Sequence, residues 1–428
     1  MPEHISDSDA RYALDLVRRI CTEVGPGVPG SPQEGQRAAI LARELESHLG
    51  AANVTIEEFT VAPGAFLSPY PGAFLMFAAT ALNLVVGRLA GIPPWLTVVL
   101  AALALVCAVL APLLFICQFV FGLEWADPLF PKVRSMNVIG TLRGPGTADV
   151  KRLLIISGHH DSAPESTWLR LTGYGFYFLS ITYLAGSALM LVLSIIQLAG
   201  VIAGNAAVVR TGTLGWVLLA FPILPSILFA LFINRDRKNG GTVPGAMDNL
   251  SASSLAVAMA RFLVQNPSYI TPHTEIRFIS FGSEEAGCRG SRRYVERHQD
   301  ELRRLDARLL NAEMVAYPEI GILTSETNGT VKNSPEMVRS VVAAAERAGV
   351  PYVVKPASFG ASSDAGPFSR AGLKATTLLP FKWPQQQVAF YHQVWDTPDV
   401  LTIEPLLNVL KLALEWVRVG GEESDRPQ

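Results

Sequence analysis

The sequence predicts an α/β fold: a three-layer sandwich around a mixed, largely parallel sheet, with two inserted transmembrane helical hairpins. Two observations carry this reading. Short apolar segments of strand length alternate with helical segments from Arg152 to Val419, the order that builds a sheet covered by helices on both faces. That pattern is broken by long stretches that hold no Asp, Glu, Lys or Arg, among them Trp95–Gly122 and Leu171–Gly200.

In chain order, Asp7 or Ser8 can cap a helix to about Val24, with Tyr12, Leu14, Leu16, Val17 and Ile20 for its apolar side. Gly25–Pro32 is a Gly/Pro break, Gln33–Leu49 a second helix and Val54–Val61 a strand. Gly72–Val86 is then apolar apart from Thr80 and Asn83, and after Arg88–Pro94 comes Trp95–Gly122. At ~1.5 Å per residue this second run reaches ~40 Å, beyond the ~30 Å hydrocarbon core of a bilayer. Leu171–Gly200 and Thr213–Ile233 form a second such pair. Further strands are expected near Asn137–Leu142 and at Arg152–Ser157, Glu275–Phe281, Leu309–Ala316, Ile320–Thr324, Tyr352–Val354 and Thr376–Leu379. Helices are expected near Leu250–Val264, Ser291–Arg304, Pro335–Ala348 and Ile403–Val419, and a frayed tail from Gly420. The organisation read from this is one discontinuous domain, residues 1–70, 123–170 and 235–428, with hairpins at 71–122 and 171–234.

The bulk numbers fit that division. Half of the 428 residues are hydrophobic and the mean hydropathy is +0.30, an excess concentrated in the apolar runs. A net charge of −2 points to no nucleic-acid partner. The four cysteines, Cys21, Cys107, Cys117 and Cys288, form no C-x-x-C pair or disulfide framework, which fits a reducing compartment. Met1–Asp15 lacks the basic and apolar regions of a secretory signal.

Five segments concentrate side chains that bind metal ions: S-G-H-H-D-S at Ser157–Ser162, P-G-A-M-D-N-L-S-A-S-S at Pro244–Ser254, F-G-S-E-E-A-G-C-R-G-S at Phe281–Ser291, N-A-E-M-V at Asn311–Val315, and Y-H-Q-V-W-D-T-P-D at Tyr391–Asp399. Any one of them has an ordinary explanation. Asp248 could be a helix N-cap, Glu284-Glu285 a solvated charge pair, and a lone histidine is more often a surface or core residue than a ligand.

Taken together and in this order, the five segments resemble the di-zinc exopeptidases: bacterial aminopeptidases, glutamate carboxypeptidase and the transferrin receptor, family twenty-eight of the metallopeptidases. The resemblance spans about Asp7–Val419 without the apolar insertions. It implies two Zn2+ ions and a peptide substrate. His159 and Glu313 would bind one zinc, Glu285 and His392 the other, and Asp248 would bridge them. Asp161 would orient the His159 imidazole, and Glu284 would be the general acid/base. The residue types suit these roles. Zinc takes imidazole nitrogen and carboxylate oxygen, two ions ~3.5–4 Å apart need a bridging carboxylate, and an unligated Glu can carry the proton from water to the leaving amine. A carboxylate on the far ring nitrogen fixes a liganding histidine's tautomer. His160 is read as structural, and Ser363-Asp364 as a turn near the site, since the family often has His where Ala365 stands. One departure matters: the family's aminopeptidases usually have Asp at the position of Glu313. Carboxypeptidase or dipeptidase activity therefore stays open beside aminopeptidase activity. So do a glutaminyl cyclase-like reaction, which uses one zinc in those relatives, and a non-catalytic receptor or scaffold. A transporter fits less well, because the four apolar runs carry no charged residue.

The metal site also constrains topology. His159 and Asp248 must meet, so the chain between them has to leave and return on one side, and crossings come in pairs. Lys132, Arg134, Arg170, Arg235, Arg237 and Lys238 flank the domain, while only Arg88 and Arg210 mark the hairpin tips. The positive-inside rule then makes the protein a multi-pass integral membrane protein with a cytoplasmic catalytic domain and the lipid bilayer as partner. Oligomeric state is left open. Because the second hairpin separates His159 from Asp248, the site is expected to open near the bilayer and to favour membrane-associated or apolar peptides. Replacing that hairpin with a short loop should therefore lower cleavage of membrane-associated peptides relative to soluble ones. Unchanged rates on both would sink this expectation.

Overall fold

The computed structural model describes residues 4–67, 70–88, 91–145, 149–210, 243–358 and 360–421. Its strands are β1 (Val54–Val61), β2 (Val133–Arg143), β3 (Arg152–His159), β4 (Thr274–Phe281), β5 (Arg308–Ala312), β6 (Ile320–Leu323), β7 (Ser325–Glu326), β8 (Val331–Lys332), β9 (Tyr352–Lys355) and β10 (Lys374–Leu379). The principal helices are α1 (Asp7–Glu23), α2 (Pro32–Leu49), α3 (Tyr70–Arg88), α4 (Pro94–Phe115), α5 (Gly175–Ile202), α6 (Ser251–Gln265), α7 (Arg289–Arg304), α8 (Pro335–Ala348), α9 (Ala365–Arg370) and α10 (Ile403–Arg418). The expected apolar run Thr213–Ile233 and the basic residues Arg235, Arg237 and Lys238 lie outside the described residues. The chain divides into two compact units: Met1–Pro63, Phe130–Glu165 and Arg235–Gln428 form one, and Gly64–Leu129 with Ser166–Asn234 form the other.

The first unit is built on an eight-stranded mixed sheet in the order β1-β2-β4-β3-β5-β10-β6-β9. Its centre, β4-β3-β5-β10, is parallel throughout. The pleat sends successive side chains to opposite faces, and β3 shows the result. Leu154 and Ile156 join the core under α1, α2, α6, α8 and α10, while Leu153 and Ile155 join a second core under α7 and α9. Both faces are covered, which is why these strands read as near-continuous apolar runs. Helix starts follow local chemistry. Ser31 accepts from Glu34 N–H with Pro32 next in line, and Ser334 accepts from Met337 N–H ahead of Pro335.

One expectation needs correction. Leu309–Ala316 does not continue as a strand: β5 ends at Ala312, and Met314 turns into the left-handed region at φ 51°. Ser363-Asp364 does lead through a turn, at Asp364. Asp364 is fully buried and stands at the start of α9.

In the second unit, α3, α4 and α5 pack together, with Ala101, Ala104, Ala108 and Ala111 buried on α4. Small residues at such spacing let helix backbones approach closely. Asn83 Nδ2 donates to Ser194 Oγ at 2.8 Å, and Gln197 Nε2 donates to the Asn83 carbonyl at 2.8 Å. Phe74, Phe77, Trp95, Phe178 and Ile181 face outward. Among the described residues, Pro71–Arg88, Pro94–Val120 and Ile181–Ile202 are long and apolar enough to cross a membrane.

Gly158 shows how tightly the first unit is packed beside His159. A Cβ there would lie 2.5 Å from Ala252 Cβ and 2.8 Å from Ser253 N, so α6 rests on the bare backbone of β3. Gly158→Ala is expected to destabilise this unit by about 1–3 kcal/mol through overpacking. Thermal or denaturant unfolding of the purified protein measures this, and an unchanged midpoint would contradict it.

Candidate active site

In an open α/β sheet, ligands gather beyond the carboxyl ends of the parallel strands. Here β3 ends on His159, β4 leads into Glu284 and Glu285, and β5 leads into Glu313. Asp248 arrives from the loop ahead of α6, and His392 from the segment after β10. Four non-glycine residues in these loops hold positive φ: Ser283 (52°), Cys288 (56°), Met314 (51°) and His392 (51°). Such conformations persist only where surrounding contacts enforce them.

The sequence-predicted side chains meet. His159 Nε2 lies 3.3 Å from Asp248 Oδ1 and 3.0 Å from Glu313 Oε1, while His392 Nε2 lies 3.3 Å from Asp248 Oδ2 and 3.2 Å from Glu285 Oε2. Asp248 thus offers one oxygen to each histidine. Glu284 Oε2 stands further back, 3.8 Å from His159 Nε2. On the other side of that ring, Asp161 Oδ1 lies 3.3 Å from Nδ1. His160 points elsewhere, with Nδ1 2.9 Å from Ser280 Oγ, and burial lowers its pKa to about 4, so it is neutral.

The electrostatics are those of crowded acids in a dry pocket. Burial raises Glu313 to about 7 and also raises Glu284 and Glu285, with neighbouring carboxylates adding to the effect. Burial works to neutralise both imidazoles, but the acids outweigh it. Glu313, Asp161 and Asp248 raise His159, while Glu285 and Asp248 raise His392 to about 10. Among the described residues, no Lys or Arg pairs with Asp248, Glu284, Glu285 or Glu313. Acids held together without such partners are what a bound cation stabilises.

The donor set fits bound metal. Three groups have ligand atoms within 4.8 Å of one another: His159, Asp248 and Glu313; Asp248, Glu285 and His392; His159, Glu284 and Glu285. Ligand atoms at ~2.0–2.1 Å from a tetrahedral zinc stand roughly 3.3 Å apart, which matches the spacings above.

Supporting contacts appear that the sequence did not expose. Asn249 brackets Glu313: its Nδ2 donates to the Ala312 carbonyl at 2.9 Å, and its Oδ1 accepts from Met314 N–H at 3.3 Å. Asp396 accepts from the N–H groups of Met247 at 2.7 Å and Asp248 at 3.1 Å, fixing the Asp248 loop. The Cys288 thiol donates to Glu284 Oε1 at 3.0 Å, leaving Oε2 toward His159. All three residues stand inside the motif segments, so their places were visible but not their contacts, which depend on how the loops fold.

Comparisons with known proteins bear on the family and the fold. The model of peptidase family M28 matches residues 235–417. Aminopeptidase YwaD of Bacillus subtilis (strain 168) is 30% identical over 175 residues, covering 41% of this chain and 34% of that protein. A probable leucine aminopeptidase of Arthroderma benhamiae is 23% identical over 200 residues, covering 45% and 52%. The chain thus spans between a third and about half of the length of these curated relatives. Among solved structures, BSAP, a zinc aminopeptidase from Bacillus subtilis, superposes with a TM-score of 0.54 at 15% identity, covering 100% of this chain and 98% of that one. A glutaminyl cyclase from an Acidobacteriales bacterium gives 0.54 at 13% identity, covering 98% and 96%. The first unit has the fold of the zinc aminopeptidases, a mixed, largely parallel sheet between helices. The chain carries a peptidase M28 family domain.

Zinc binds neutral imidazole, so protons compete for this site. Because His392 is raised to about 10 and His159 is raised as well, both are protonated near neutral pH in the metal-free protein. Zinc affinity is therefore expected to climb as pH rises from about 6 to about 8, by up to about tenfold per unit for each proton displaced. Competitive chelator titrations test this, and an affinity independent of pH would refute it.

Proposed function

We propose that this protein is a membrane-anchored zinc exopeptidase, an aminopeptidase by preference. The observation that carries the reading is the pair of donor groups sharing Asp248, with Glu284 beside them, a member of neither pair but grouped with His159 and Glu285. His159 and Glu313 would hold one zinc and Glu285 and His392 the other, with Asp248 between. The ions would supply Lewis-acid polarisation of the scissile carbonyl and activation of a water. Glu284, raised by burial and held through Oε1 by Cys288, takes the water's proton on Oε2 and returns it to the leaving amine. Asp161 keeps His159 in the tautomer that presents Nε2. The aminopeptidase preference draws on the aminopeptidases among the relatives. Glu313, at a position where the family resemblance implies Asp for an aminopeptidase, leaves carboxypeptidase or dipeptidase activity as outcomes of the test.

Membrane anchoring draws on the three apolar helices and the outward aromatic and aliphatic side chains of the second unit. The basic residues Lys132, Arg134 and Arg170 around the apolar segments favour a cytoplasmic catalytic domain in this reading.

The decisive experiment is metal analysis of the purified protein with hydrolysis of peptides bearing free or blocked N-termini. Two zincs per chain and cleavage only of free N-termini are expected. One zinc with cyclisation of N-terminal Gln would instead establish the glutaminyl cyclase-like alternative. Glu284→Gln should lower kcat by about 10²–10⁴ while retaining both ions. Full activity in that variant would overturn the mechanism.

A further inference from the structure

Three successive backbone N–H groups in the turn that carries Glu284 and Glu285 end on carboxylates. Ser283 N–H donates to Glu34 Oε1 at 2.8 Å, Glu284 N–H to Asp161 Oδ1 at 3.0 Å and Glu285 N–H to Asp161 Oδ2 at 2.9 Å. Asp161 belongs to the His159 segment. Glu34 lies on α2, about two hundred residues ahead of the stretch matched by the family model. Its Oε1 also accepts from Ser283 Oγ and Ser135 Oγ, both at 2.9 Å, and its Oε2 accepts from Gly30 N–H at 2.6 Å.

Helix capping accounts for only one of its oxygens: Ser31 and Glu34 stand at the two ends of a capping-box pattern, but only Oε2 reaches back along the chain, to Gly30 N–H. Charge pairing does not account for the other: Glu34 is 1% exposed and, among the described residues, has no ion-pair partner. Burying an acid without a cation is costly unless its oxygens are fully hydrogen-bonded. Two of the four bonds that satisfy Glu34 come from Ser283, a residue held at φ 52°. The preceding Gly282 is pressed against the same group: a Cβ there would lie 3.2 Å from Glu34 Oε1 and 2.3 Å from the Met136 carbonyl. One turn along α2, Arg37 donates to the His160 carbonyl at 3.0 Å and to the Pro244 carbonyl at 2.6 Å, so the same helix also grips the loops that bring His159 and Asp248.

We infer that Glu34 is a positioning residue for the proposed reaction: it fixes Ser283 and thereby the direction in which Glu284 and Glu285 leave β4. The inference rests on the roles assigned above to those two glutamates. Its effect is one-sided. Glu285 faces Asp248 and His392, whereas the His159–Asp248–Glu313 group hangs on β3 and on the Asn249 bracket. Losing Glu34 weakens the ion held with Glu285 and slows proton transfer by Glu284, and it leaves the other ion tight.

The test uses the full chain in detergent, with zinc titration and peptide hydrolysis on Glu34→Ala, Glu34→Asp and Glu34→Gln. In Glu34→Ala, one zinc equivalent stays tight, the second weakens by about 10–100-fold, and kcat falls at least about tenfold with KM nearly unchanged. Glu34→Asp, too short to reach Ser283, shows the same one-sided loss and stands in if Glu34→Ala does not fold. Glu34→Gln keeps an amide oxygen for Ser283 and recovers most of both. Wild-type kcat and two tight equivalents in Glu34→Ala or Glu34→Asp would overturn the inference, as would equal loss of both equivalents in every variant. A wild-type protein that binds no zinc and cleaves no peptide would overturn the functional reading instead.

Discussion

Carboxylates repel one another most strongly where water is excluded, and five of them, Asp161, Asp248, Glu284, Glu285 and Glu313, share one largely dry pocket at the ends of β3, β4 and β5. Left alone, such a cluster takes up protons or opens. Two histidines offset part of the repulsion, and backbone N–H groups offset another part. The remaining imbalance is what the donor geometry presents to metal ions. Much of the surrounding structure serves to hold this unfavourable arrangement in place: the positive-φ loops, the buried serines and the acids behind the acids.

The sheet makes that economical. Adjacent parallel strands lie ~4.8 Å apart, so residues just beyond the ends of β4, β3 and β5 fall within a side chain's length of each other. His159, Glu284, Glu285 and Glu313 need no long excursions to meet. The residues that do travel, Asp248 and His392, are the ones fixed by Asp396 and by the stacking of Tyr391 on the His392 ring, whose centroids are 3.8 Å apart.

How much of this could be read in the chain follows from the range of each interaction. The run Arg152–Ser157 is a buried strand by composition alone, and the motif segments name their metal-binding side chains because those residue types are rare together. The strand expected at Leu309–Ala316 fails beyond Ala312 for a reason sixty-odd residues away: Asn249 captures the backbone on both sides of Glu313. Asp364 sits in S-S-D-A-G-P-F like any turn residue, and only the packing of α9 shows it fully buried. Glu34 reads as an ordinary first-turn acid of α2, since the serine it holds is 249 positions away. Local propensity reports backbone geometry, but it is silent on which distant polar atom a buried side chain will meet.

The strand order also sets a timetable for the molecule's making. β3 lies between β4 and β5, both encoded after the second interruption of the domain, and β2 likewise pairs with β1 and β4. As the chain leaves the ribosome, β1 and β2 can zip together, but β3 has no neighbour until residues beyond 274 appear. From about residue 160 until β4 emerges, the strand that ends in His159 is an unpaired apolar segment, of the kind prone to aggregation and recognised by chaperones. A nascent chain of this protein is therefore at its most vulnerable while its hydrophobic segments are being handled, and the sheet closes only near the end of synthesis.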